Sequence, residues 1–103
     1  MEPTRRILYP FTAEYPLGTI TGHWSLADEP EALLARLDAA ESTPEALVVS
    51  LVALLVDWNI TRSGEPVPIN EETLGQVPVS LLYVIDRAIT ASARAEGLLP
   101  MLN

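Results

Sequence analysis

The spacing of apolar and polar residues changes its period at about residue 27. Over 19–26, Ile20, Gly22, Trp24 and Leu26 fall on one side, and Thr19, Thr21, His23 and Ser25 on the other. A period of two predicts a half-buried strand. Residues 6–11 are also rich in aromatic and β-branched side chains. The two runs are expected to pair as a hairpin through 12–18, punctuated by Pro16 and Gly18.

From Asp28 onward the spacing becomes helical. Asp28 offers a cap, Pro30 fits the first turn, and Glu29 and Glu31 suit the positive end of the helix dipole. Leu33, Leu34 and Leu37 give an apolar stripe running to Ala40. Thr43, Pro44 and Glu45 form a stronger start signal, with Thr43 as the expected cap. The helix they open, expected over 44–59, is apolar nearly all round: Leu47, Val48, Val49, Leu51, Val52, Leu54, Leu55 and Val56. Such a helix belongs in a core or in an oligomer interface. Its four valines also suit a strand, but its length and caps favour a helix. Residues 61–66 read as a turn and 67–69 as extended chain. Asn70 caps a short helix begun by Glu71 and Glu72. A last helix is expected over 78–96, with Leu81, Leu82, Ile85, Ala88, Ile89 and Ser92 on one stripe and Gly97 as its stop.

The pattern therefore predicts one domain over 1–103. A β-hairpin portion occupies 1–26, a helical portion 27–97 and a tail 98–103. The expected fold is mainly α within the α+β class: an N-terminal β-hairpin, then a bundle of three to four helices around the central apolar helix.

Composition narrows the chemistry. There is no cysteine and a single histidine, His23, so thiolate and multi-histidine metal sites and cysteine nucleophiles are excluded. Acidic residues outnumber basic ones by 14 to 6, all six being arginine, for a net charge of −8. That field repels phosphate backbones and anionic lipid heads, which argues against nucleic acid and membrane partners. Residues 7–11 are too short an apolar run for a signal peptide, and 46–56 falls short of the roughly 20 residues that span a bilayer.

No catalytic or cofactor pattern emerges. His23 alternates away from Trp24 toward solvent or an interface, and the spacing supplies neither an oriented serine nor a carboxylate beside it. Asp28, Glu29, Glu31, Glu45, Glu71 and Glu72 stand where helix starts want them. Residues 57–72 lack the alternation of a calcium loop, and the five glycines form no phosphate-binding loop. Trp24 and Trp58 read as large core residues or interface anchors. Arg5 and Arg6 read as exposed charges.

One stretch carries more. Asp57-Trp58-Asn59-Ile60-Thr61 leads through Arg62-Ser63-Gly64-Glu65-Pro66-Val67-Pro68-Ile69 into the capped segment Asn70-Glu71-Glu72-Thr73-Leu74. This resembles the signature of tail assembly chaperones of long-tailed (siphovirus-type) bacteriophages and prophages. In that family a helix ends in Trp-Asn or Trp-Asp, an aliphatic residue and Thr follow, and a Gly-x-Pro-aliphatic-Pro turn leads to a capped helix. Val77-Pro78, Leu81, Leu82, Ile85 and Ala88-Ile89 continue the similarity, as do Phe11, Glu14-Tyr15 and Gly18 more weakly. Ile60-Thr61 stands where Leu-Thr is usual, and 19–24 lacks the alternating arginines often found in that strand.

The resemblance implies a non-enzymatic factor of the host bacterial cytoplasm, absent from the mature virion. It would coat the tape-measure protein during tail assembly and, through a longer frameshifted product, recruit tail-tube subunits. It implies no cofactor and no metal. Client binding or homo-oligomerisation would fall to Trp24, Trp58, Tyr83 and the apolar run that includes Leu51, Leu54 and Leu55. A small acidic adaptor or antitoxin-like regulator without catalytic activity fits the same composition. A small enzyme would need a pocket with convergent polar groups, which the sequence does not advertise.

Overall fold

The computed structural model describes residues 7–16 and 18–98; Arg5, Arg6 and the tail beyond Leu98 lie outside them. The hairpin is present, as β1 (Tyr9–Tyr15) and β2 (Gly18–Trp24), antiparallel from Tyr9↔Trp24 to Tyr15↔Gly18. The alternation holds along both strands. Phe11, Ala13, Ile20 and Trp24 are buried while Thr12, Glu14, Thr19, Thr21 and His23 are exposed. It fails just past β2, where Ser25 is buried and Leu26 is exposed.

After α1 (Pro30–Ala39) comes α2 (Thr43–Leu54), and here the expected architecture needs correcting. The helix does not run to Asn59. It ends at Leu54, and Leu55–Trp58 forms β3, which pairs antiparallel with β2. The molecule is thus not a helical bundle around one central helix. It is an α+β fold, 47% helical and 24% strand over the described residues, with a three-stranded antiparallel sheet in the order β1-β2-β3.

Neither glycine nor proline stops α2; tertiary pairing does. The free edge of β2 presents backbone donors and acceptors that need partners, and 54–59 supplies them. Ser25 N donates to Leu54 O at 2.9 Å and Asn59 N to Thr21 O at 2.9 Å. The pairing slips by one residue between His23 and Trp24, so Val56 has no opposite number. That bulge lets the chain pass directly from helix into sheet. Valine and tryptophan, indifferent helix formers, suit the pleated surface.

The capping details also move by a residue. Ser42, not Thr43, caps α2, its hydroxyl accepting from Glu45 N at 3.2 Å. At α1 the cap position falls on Glu29, not Asp28, and has no side-chain capping bond. Residues 61–66 form a small hairpin, β4 (Thr61–Arg62) and β5 (Glu65–Pro66). Its corner, Ser63-Gly64, has both φ angles positive, at 54° and 81°, the geometry that fits a strand twist. Asn70 caps α3 (Glu71–Leu74), accepting from Thr73 N at 2.7 Å. The last helix, α4 (Val79–Ala95), ends at Gly97 with Leu98 N donating to Ala93 O.

One face of the sheet is covered by helices. α4 lies along β1, tied at one end by Tyr15–Ser80 (2.9 Å) and at the other by Ser92 Oγ donating to Pro10 O (2.9 Å). Ala13, small and 3% exposed, lets the helix come close. Phe11, Ile20, Trp24, Leu47, Leu51, Leu55, Leu74, Leu82, Ile85 and Ile89 belong to one core cluster joining sheet and helices. Each large aliphatic side chain buried there contributes about 1.5–3 kcal/mol.

Candidate functional site

The six residues singled out for client or self-association take different places. Leu51, Trp24 and Leu55 are in the core, at 0%, 2% and 6% exposure. Leu54 and Trp58 are half-buried against it. Only Tyr83, on α4, is exposed. Trp24 serves as a keystone: its ring lies against Tyr9 with centroids 4.8 Å apart, and its Nε1 donates to Ser92 Oγ at 2.9 Å. Ser92 in turn donates to Pro10 O, so one hydroxyl links a core tryptophan to the sheet edge.

Trp58 and Asn59 together lock the signature stretch. Trp58 Nε1 donates to Val67 O at 2.8 Å, and Val67 N donates to Ile60 O. Asn59 extends the sheet with its side chain: Oδ1 accepts from Thr21 N (3.0 Å) and Nδ2 donates to Thr19 O (3.1 Å). An amide mimics a peptide unit here, which is why asparagine suits the position where β3 gives out. The order Trp, Asn, turn, cap thus has a mechanical basis in this chain.

The open face of the sheet carries the other polar constellation. A shallow depression there is bordered by Pro10, Thr12, Thr21, His23, Asp57 and Asn59. Its floor is Gly22, where a Cβ would run into the Asp57 carbonyl oxygen and lie 2.8 Å from Trp58 Cα. β3 approaches β2 too closely for any side chain. His23 Nδ1 lies 3.0 Å from Asp57 Oδ1 and 3.3 Å from Oδ2. The sequence spacing gave no sign of a carboxylate for His23; the helix-to-strand switch at Leu55 brings it there. Both side chains are about half exposed, 47% and 55%, and a pair so open to water is a weak cross-strand contact.

Elsewhere the described residues hold no group of three or more histidine, aspartate or glutamate side chains that could bind a metal. No described helix is long and apolar enough to cross a membrane. Asp86 on α4 is partly buried, and desolvation pushes its carboxyl above the usual carboxylate range. Ser25 Oγ is buried without a hydrogen-bond partner.

The apolar surface is the feature sequence reasoning located least well. Ile7, Leu8, Leu26, Leu34, Val79 and Tyr83 are exposed. Val79 and Tyr83 stand four residues apart on α4 and so share one face. The period-two spacing places Leu26 on the same side of the strand as Trp24, and helical spacing places Leu34 on the apolar stripe of α1, yet both are exposed. Alternation and helical spacing are averages over an element, and both leucines sit where an element ends or is barely covered. No family model, curated protein or solved structure matches this chain.

Proposed function

We propose that this chain is a tail assembly chaperone of a long-tailed bacteriophage or prophage, which binds the tape-measure protein during tail assembly and acts on tail-tube subunits through a longer frameshifted product. The observation that carries the reading is the composite pattern of residues 57–74, continued through Ala88-Ile89. The surface supports it. Apolar side chains stand out on a body of net charge −8, a combination that grips apolar client surface while charge keeps the assembly dispersed.

Co-expression with the long tape-measure candidate of the same gene cluster tests the reading, scored by soluble yield and co-purification. A soluble client carrying this chain in several copies is the expected result. A client that stays insoluble with nothing co-purifying overturns it and leaves the small acidic adaptor. The double substitution Val79→Ser/Tyr83→Ala should reduce the co-purified copies while leaving the melting temperature within a few degrees, because both side chains are exposed.

A further inference from the structure

α1 differs from every other long element in the molecule. It has three leucines in ten residues, yet none of its residues is buried. Leu33 and Leu37 are half-covered, Leu33 facing α2, and Leu34 is 64% exposed. Its cap residue, Glu29, makes no side-chain capping bond, and the ion pair Arg36 Nη2–Glu71 Oε2 (2.8 Å) joining it to α3 is half exposed at both ends. Short non-helical stretches flank it on both sides, at 25–29 and 40–42. An isolated helix of this length is marginal in water, so α1 depends on what it lies against.

What it lies against is an apolar strip of α2 at the margin of the core, where Val52 still packs on the main cluster. Val49 is 5% exposed but stands outside the main core cluster. With Val52 and Ala53 of α2 it lines a groove whose opposite wall is Ala32, Leu33 and Arg36 of α1. Val49 is thus buried outside the core cluster, on the side of α2 that faces α1.

We propose that α1 is a displaceable strap, and that the α2 face beneath it, Val49, Val52 and Ala53, is a docking groove for an amphipathic helix of the client. The occupant is defined by the helix that now forms the groove's outer wall: an aliphatic residue where Leu33 faces Val49, Val52 and Ala53, and a basic residue three positions on to meet Glu71, as Arg36 does. The acidic surface of the chain favours a basic helix over an acidic one. When α1 lifts, its three leucines become available as further contact. The tethered strap competes at high effective concentration, so the client must bind better than α1 does. The occupant rests on the chaperone reading; the strap itself does not.

Hydrogen exchange on the whole chain, resolved by segment, tests both. In the free protein, amides of 30–39 should exchange on the order of 100-fold faster than the slowest amides of α2 and α4, by local opening. Leu33→Asp should release α1 entirely while α2 and α4 keep their protection. If α1 is as protected as α2 and α4, or if Leu33→Asp unfolds the whole chain, the strap is overturned and α1 is an integral part of the core. In the complex with the co-expressed tape-measure protein, 49–53 should gain protection while 30–39 lose it. A complex in which α1 stays protected overturns the groove and leaves the chaperone reading standing. If no complex forms, the chaperone reading and the occupant fall together, and exchange in the free chain still decides the strap.

Discussion

Asn59 and Ser25 show how differently two small polar residues serve at the edges of one sheet. Asn59 makes two side-chain bonds to the β2 backbone, at Thr21 N and Thr19 O. Asn59→Ala removes both bonds at solvent-exposed positions, and the expected loss is about 0.5–1.5 kcal/mol by urea denaturation. Asn59→Asp keeps the acceptor for Thr21 N but loses the donor to Thr19 O, so it should fall between the two. Equal stability of all three chains would show that solvent serves these backbone groups just as well. Ser25 is the opposite case. Its hydroxyl is buried and finds no partner, so Ser25→Ala removes a desolvated group without opening much space. The expected effect is neutral or a gain of up to about 1 kcal/mol, against the usual loss for a core substitution. A loss above that would reveal a bound water or partner that the hydroxyl needs.

Local signals named most of the elements and missed how they join. The hairpin, the Asn70 cap and the stripe of α4 were legible because each rests on periodicity or capping within a few residues. The boundary at Leu54 was not: the valines of 44–59 suit a strand as well as a helix but are spread from Val48 to Val56 and mark no switch point, and the choice is settled by the unpaired edge of β2, some thirty residues earlier in the chain. A further clue was Gly22, a glycine inside a strand, which marks a place where another backbone comes close. Gly22→Ala tests that account at the scale of the element. Its Cβ meets backbone atoms of Asp57 and Trp58, which cannot rotate away, so β3 must separate from β2. The expected loss is about 1–3 kcal/mol, toward the upper end because backbone must move. It should be accompanied by faster hydrogen exchange in 54–59, while the hairpin from Tyr9 to Tyr15 retains its protection. Uniform loss across the chain would mean that the sheet opens only with the whole fold. The candidate site was legible to a different degree. Tyr83 was singled out and is exposed, whereas the tryptophans and leucines chosen beside it for their size are held wholly or partly within the core, since size alone does not separate an anchor from a core residue.

For the molecule as a whole, the excess of carboxylates opposes compaction, and Asp86 concentrates that opposition at one point. Most acids lie exposed, where water and salt screen them, but Asp86 is drawn partly into α4's covered side, with its carboxyl raised above the ordinary range by desolvation. The raised value means that the folded chain binds this proton more tightly than the unfolded chain. Stability from this group is therefore fully present below the unfolded value and is lost as pH rises through the folded one. At neutral pH the ionised Asp86 is a cost that the fold carries. Asp86→Asn should then be more stable than the parent at about pH 7, and the difference should vanish near pH 3, where both side chains are neutral. Urea midpoints of the two chains across that range measure it. A difference independent of pH would assign the effect to packing or helix propensity. A variant less stable at neutral pH would mean that the carboxylate has a favourable partner strong enough to outweigh its desolvation, and the net charge would then be better balanced inside the fold than the excess of acids over arginines suggests.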